Sequence, residues 1–210
     1  MSANIMSSQR SRGRTKSPRS PELRFDLGVA FLLSLGLLAF ISGGLAVWAV
    51  FAAVVHEAAH LLAIYACGFR LRRMSLHAGG VRMELNAEPP KAKAALIFAA
   101  GCFGNLLAAG AVKAFGGASL RSYIFFGANL ILCVLNALPH SALDGGKLLR
   151  LALGERPNSE RISFVCDVAV TFLLTAAGAY VFFAFGKNPT ALLLGLCLVS
   201  KLLTFRKNSY

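Results

Sequence analysis

The stretch "VVHEAAHLLAIY", Val54 to Tyr65, places His56, Glu57 and His60 inside one of the most apolar parts of the chain. Ionisable side chains at membrane depth are costly and usually functional. Residues four apart lie on one face of a helix, so the two histidines can bind one metal ion from the same side. Glu57 lies next to that face, as in the H-E-x-x-H pattern of zinc hydrolases, where the carboxylate is the general base. The pattern predicts a hydrolytic zinc site on a buried helix.

The rest of the chain is comparably apolar. Of 210 residues, 56% are hydrophobic and 15% are charged, whereas soluble domains carry about 25% charged residues. We therefore expect an all-α polytopic membrane protein with one membrane domain at residues 27–210. A bilayer needs about 17–25 apolar residues per helix. Six segments come close to this length: Leu27–Ser42, Leu45–Ala66, Ala94–Val112, Tyr123–Leu138, Ile162–Phe185 and Thr190–Phe205.

The net charge of +13 follows the predicted topology. Basic residues concentrate in the N-terminal tail, between spans two and three, after span four and at the C-terminal end. Only Lys113, Arg121 and Lys187 fall on the other side of the membrane. The positive-inside rule then places both termini in the cytoplasm, in a bacterial plasma membrane or a similar cell membrane. The charge does not point to nucleic acid.

Residues 1–26 are rich in serine and arginine, which predicts a disordered basic cytoplasmic tail. A cleaved organelle transit peptide has a similar composition and remains an alternative. The five cysteines are scattered singly with no C-x-x-C pair, so we expect reduced, buried thiols instead of disulfides or a thiolate zinc site.

A catalytic zinc ion needs a third protein ligand. Asp144, in "NALPHSALDGGKLLRL", is the first candidate because span two and span four both reach the cytoplasmic side near it. Pro139 and the pair Gly145–Gly146 are expected to break the helix around this carboxylate. Such a break is tolerated at membrane depth where the backbone is buried in protein or lines a watery cavity.

Other interpretations of these residues stay open. Asp167, near the start of span five, is the alternative third ligand, and His140 and His77 are expected to be loop residues. The polar residues of span two also suit interhelical hydrogen bonds without a metal. A divalent-metal transporter, or an inactive homologue that binds membrane segments, is the alternative function.

Three motifs together resemble the site-2 protease family of intramembrane zinc metalloproteases. They are "HEAAH" in span two, "NALPHSALDGGK" from Asn136, which fits the family pattern N-x-x-P-x-x-x-L-D-G, and the loop "CGFRLRRMSLHAGGVRMEL" from Cys67 to Leu85. The match covers about residues 45 to 150. Within the family, the chain is most similar to the compact type related to the stage IV sporulation factor B protease. A short hairpin-like loop is therefore expected after the zinc-binding helix.

The resemblance implies a division of roles at the metal. His56, His60 and Asp144 would bind zinc, and Glu57 would be the catalytic base. The activity implied is cleavage of a membrane-associated or transmembrane protein near the cytoplasmic side of the bilayer. The chain has no room for the PDZ or CBS domains of larger relatives, so regulation would come from a membrane partner or a second copy.

The resemblance also implies residues that meet the substrate. Asn136 and the loop at Gly79 and Gly80 would lie beside the substrate segment, and Asn105 would take part near the active site. Cys102 occupies a position where relatives usually carry proline. Partial strand-like alternation in the loop suggests that it pairs with an extended substrate. A hairpin that only plugs the cavity is the alternative.

Overall fold

The computed structural model describes residues 24–27, 46–77 and 80–185, together with the single positions 195, 198 and 199. Five helices and three short strands lie within residues 24–185 of this described part. In chain order they are β1 (Arg24–Leu27), α1 (Ala46–Ala66), β2 (Leu71–His77), β3 (Gly80–Leu85), α2 (Lys91–Phe115), α3 (Leu120–Ala137), α4 (Asp144–Leu153) and α5 (Ser159–Phe185).

Four of these helices are long and apolar enough to cross a membrane: Val47–Ala66, Lys91–Phe115, Leu120–Ala137 and Ser159–Ala184. They correspond to predicted spans two to five and confirm the expected class, a helical polytopic membrane protein. Large apolar side chains such as Phe103 and Phe172 are exposed on them, as lipid-facing residues are. Predicted spans one and six, Leu27–Ser42 and Thr190–Phe205, lie almost entirely outside the described residues.

Helices α1 and α2 pack closely through small residues. A Cβ on Gly104 of α2 would lie 2.5 Å from the Cβ of Ala59 on α1. In a bilayer, small side chains at such a contact let two backbones approach, because association depends on van der Waals packing and hydrogen bonds. This close approach brings α2 over the histidine-bearing face of α1.

The loop after α1 forms the expected hairpin and belongs to a three-stranded sheet. Strands β2 and β3 are antiparallel, with His77 opposite Gly80. Strand β1 pairs in parallel with β2, from Arg24 opposite Arg73 to Leu27 opposite Leu76. Residues 24–26, which were expected to end the disordered tail, lie in this strand. With the order β1-β2-β3, strand β3 is an edge of the described sheet.

The chain leaves the helical conformation between α3 and α4, as expected at Pro139, but the predicted role of the two glycines was wrong. Gly145 and Gly146 lie inside the first turn of α4. A Cβ on Gly145 would sit 2.5 Å from Leu138 O, and one on Gly146 would collide with His140 O. The glycines therefore let α4 begin directly against the connection that precedes it.

Candidate metal centre

Three side chains from two helices converge on one buried point. The Nε2 atoms of His56 and His60 lie 3.0 Å and 2.8 Å from Asp144 Oδ2, and 3.2 Å from each other. All three residues are buried. Their ligand atoms lie within 4.8 Å of one another, as a shared metal ion requires. The structure thus brings Asp144 together with the two histidines.

The outer nitrogen of each imidazole has its own partner, which fixes where the ring proton lies. His60 Nδ1 is 2.7 Å from Ile97 O, a carbonyl that only accepts, so Nδ1 carries the proton. His56 Nδ1 is 2.6 Å from Asn105 Oδ1. Because Asn105 Nδ2 donates to Ala52 O, its amide oxygen faces the ring. In its neutral form each imidazole therefore directs a lone pair on Nε2 into the centre.

The arrangement is electrostatically unfavourable unless a cation lies among the three atoms. Two nitrogen lone pairs and a carboxylate oxygen of Asp144 face one another at 2.8–3.2 Å. An extra proton or a metal ion relieves this repulsion. In a tetrahedral zinc site with bonds of about 2.0–2.2 Å, ligand atoms are about 3.3 Å apart. The donor set and its spacing fit zinc, with slight contraction.

The backbone of α2 passes directly over this point because residue 101 is glycine. A Cβ at Gly101 would collide with His60 Nε2 and would lie 2.5 Å from His56 Cε1 and 2.6 Å from His56 Nε2. The space that a methyl group would fill is thus the space in front of the metal-facing nitrogens. Gly101 keeps the centre open.

The second oxygen of Asp144 is held separately. Lys147, one turn along α4, places Nζ 2.8 Å from Oδ1, which leaves Oδ2 for the histidines. Burial alone would raise the pKa of Asp144, but His56 and His60, when they carry a proton on Nε2, and the ammonium of Lys147 lower it, and the balance holds the pKa well below its usual range. The carboxylate is therefore an anion at neutral pH. Its place in the first turn of α4 adds a favourable helix dipole.

A cavity of about 800 Å³ opens beside the centre. Glu57 lines it next to the two histidines without joining the cluster of ligand atoms. Asn136, at the end of α3, lines the same cavity. The lining of the cavity also includes three side chains of the edge strand β3: Val81, Met83 and Leu85. A substrate segment in this cavity would contact the carboxylate and the strand together.

The other residues expected to meet a substrate are placed differently. Asn105 is fully buried and contacts His56 from behind, where it holds the imidazole. Gly80 begins β3, and Gly79 lies outside the described residues. Asn129 of α3, which the sequence analysis did not single out, is also fully buried and bonds to Asn105. An amide inside an apolar span needs a partner, and that signal was present in the sequence.

Asp167, the alternative third ligand, lies in another cluster. Its Oδ1 accepts a hydrogen bond from Ser141 N at 2.6 Å, in the connection before Asp144. His140, expected to be a loop residue, is in that connection but fully buried, with Nε2 3.2 Å from Thr171 Oγ1 of α5. Helix α5 therefore holds the segment that presents Asp144. The side chain of His77 is outside the described part of the chain.

Comparison with solved structures shows what fold this is. The chain is similar to the site-2 protease from Methanocaldococcus jannaschii, with a TM-score of 0.60 and 18% sequence identity, over 86% of this chain and 89% of that chain. No protein-family model matches the chain, and no curated protein matches it. At this level of identity the likeness is one of fold, and it does not distinguish the compact sporulation type from other types.

Proposed function

We propose that this chain is an intramembrane zinc metalloprotease of the site-2 protease type. The observation that carries the proposal is the convergence of His56 Nε2, His60 Nε2 and Asp144 Oδ2 on one point, where their lone pairs require a cation. Glu57 lines the adjoining cavity, as a base that is not a ligand must. The fold shared with a site-2 protease supports the same conclusion.

The roles follow from these positions. His56, His60 and Asp144 would hold the ion. Zinc in such a site supplies a Lewis acid for the scissile carbonyl and lowers the pKa of water toward about 7. Glu57 takes the proton of the attacking water as the oxygen–carbon bond forms, and gives it to the leaving amine as the carbon–nitrogen bond breaks.

The edge strand offers a way to present the peptide bond. A helical substrate hides its carbonyls in its own hydrogen bonds, so it must unwind before cleavage. Strand β3 is paired with β2 on one side, and its side chains Val81, Met83 and Leu85 line the cavity. An extended segment pairing with β3 would lie beside Glu57, with Asn136, Gly79 and Gly80 as further contacts.

The substrate class follows from the depth of the centre. His60 lies six residues before the end of α1 at Ala66, about 9 Å along the axis. The hairpin and α4 lie at this end of the bundle, which the distribution of basic residues assigns to the cytoplasm. We propose a membrane-associated or transmembrane protein substrate cut near that side. The proposed subtype is the compact sporulation type, regulated by a membrane partner or a second copy.

The test compares two variants of the purified full chain in proteoliposomes that contain a panel of transmembrane reporters. Glu57→Gln should keep about one zinc ion and lose cleavage, whereas His56→Ala should lose both, because only the imidazole is a ligand. Zinc loss in Glu57→Gln with cleavage retained would contradict the roles. Zinc flux across the vesicles without cleavage would support a transporter, and reporter binding without cleavage by the unaltered chain would support an inactive homologue.

A further inference from the structure

Two buried amides form a chain of hydrogen bonds behind His56. Asn105 and Asn129 are both 0% exposed, although each lies in a long apolar helix. Asn105 Nδ2 donates to Asn129 Oδ1 at 2.8 Å, and Asn129 Nδ2 donates to Phe125 O, one turn earlier in α3, also at 2.8 Å. This series of hydrogen bonds therefore connects the backbone of α3, through Asn105 of α2, to the imidazole of His56 on α1.

The donor and acceptor of each hydrogen bond in this series are determined by the carbonyl of Phe125, where the series begins. Phe125 O can only accept, so it takes an N–H of Asn129 and turns Asn129 Oδ1 toward α2. Asn105 must then present Nδ2 to Asn129, and it also presents Nδ2 to Ala52 O at 3.1 Å. Its oxygen is left for the Nδ1–H of His56.

We propose that Asn129 is a positioning residue for the metal centre, acting through Asn105 to fix the ring orientation and tautomer of His56. The inference rests on the proposed function, because the centre must bind zinc for the tautomer to matter. Without Asn129, Ala52 O is the acceptor that remains, among the described residues, to hold Asn105 Nδ2 in this orientation. If the amide of Asn105 flips, its NH₂ group faces His56 Nδ1 and favours the tautomer with the ring proton on Nε2. That nitrogen must be unprotonated to bind a metal.

The two histidines differ in this respect. His60 is held by a backbone carbonyl, Ile97 O, whose direction no side-chain change in α3 alters. His56 depends on two side chains from two other helices. Loss of Asn129 should therefore disturb one of the two imidazole ligands and leave the other in place.

The experiment measures metal binding by the full-length chain in detergent, with zinc and a competing chromophoric chelator, and with cobalt as a spectroscopic probe. Asn129→Leu keeps the branched shape of the side chain and removes both hydrogen bonds. We expect zinc affinity to fall by about 10-fold, the lower end of the range for loss of an outer partner of a ligand. The visible absorption bands of bound cobalt should shift, because His56 no longer has its fixed geometry.

A double-mutant cycle separates this role from simple packing. Asn105→Leu alone should weaken zinc binding by about 10–100-fold. Adding Asn129→Leu to it should cost little more, because Asn129 acts through Asn105. Independent, additive losses would overturn the proposal, as would an Asn129→Leu variant with unchanged zinc affinity and cobalt spectrum.

A milder pair of variants covers the case in which Asn129→Leu does not fold. Serine can donate to the carbonyl four residues back and accept from Asn105, whereas alanine can do neither. Asn129→Ser should therefore bind zinc more tightly than Asn129→Ala, and equal affinities would refute the role. If the unaltered chain binds no zinc, the proposed function fails. If it binds zinc and the Asn129 variants match it, only this inference fails.

Discussion

Gly101 offers the most direct test of the metal centre, because one methyl group can be placed where the ion would lie. In Gly101→Ala the new Cβ would lie 2.6 Å from His56 Nε2 and closer still to His60 Nε2. Ordinary contacts between such atoms are about 3.5 Å. Either the imidazoles or helix α2 must therefore move by about 1 Å.

Neither movement is compatible with the centre. Metal–ligand distances tolerate errors of about 0.2 Å, so a displacement of about 1 Å removes at least one ligand. If α2 moves instead, it carries away Asn105 and Ile97 O, which hold the outer nitrogens of both rings. We expect zinc affinity to fall by more than the about 10–100-fold that loss of an outer partner costs. Overpacking should also lower stability by about 1–3 kcal/mol.

Two other glycines of α2 serve as controls for the same substitution. A Cβ on Gly110 would meet no atom of the described residues within 4 Å, so Gly110→Ala should bind zinc like the unaltered chain. A Cβ on Gly104 would lie 2.5 Å from the Cβ of Ala59, so Gly104→Ala disturbs helix packing without adding an atom to the centre. It should lower thermal stability with a smaller loss of zinc affinity than Gly101→Ala. The assay is zinc titration against a chelator, with thermal unfolding measured in the same detergent.

One result would refute this reasoning. If Gly101→Ala binds zinc as tightly as Gly110→Ala, then the backbone of α2 does not cross in front of the two Nε2 atoms. The packing of α1 against α2 described above would be incorrect, and the ion, if bound, would have to be held elsewhere.

Two further predictions concern the third ligand and the topology. Asp144→Asn should weaken zinc binding by at least about 10–100-fold and abolish cleavage. Asp167→Asn alters a contact to Ser141, in the connection between α3 and α4, and should keep the zinc stoichiometry measured by metal analysis. The reverse pattern would move the centre to α5. Reporters fused after Lys93 or Arg156 should report a cytoplasmic location and one near Ala118 an extracytoplasmic one. A periplasmic signal at Lys93 would invert the orientation and put the proposed cleavage side in error.

The helices were predictable because their signals are local. The second predicted span, Leu45–Ala66, differs from α1 by one residue at its start. The third was predicted to begin at Ala94, but α2 begins at Lys91. Hydropathy locates the apolar part of a helix, but the backbone hydrogen bonds of α2 continue into the polar residues at its start. One of these residues, Lys93, donates a hydrogen bond to Cys67 O. The H-E-x-x-H spacing located the histidine pair for the same reason.

Features that depend on distant partners were not predictable. Strand β1 forms by pairing with β2, and the sequence of residues 24–27 alone does not indicate that partner. His140 was expected to be a loop residue and lies in the connection between α3 and α4, but its burial against Thr171 of α5 could not be read from the neighbouring sequence. Asn129 did carry a local signal, a single amide in an apolar run, but its partner could be identified only once α2 and α3 were packed together.

The partners of the three donor atoms also determine how metal binding relates to folding. His56, His60 and Asp144 are each held by protein contacts outside the centre: Asn105, Ile97 O and Lys147. Little conformational entropy then remains to be lost when an ion enters, so most of the binding energy can appear as affinity. Zinc fingers are the opposite case, since their ligands become ordered only around the ion. If the proposed function is correct, removal of zinc by a chelator should thus abolish cleavage while the helices remain assembled, and returning zinc should restore cleavage without refolding.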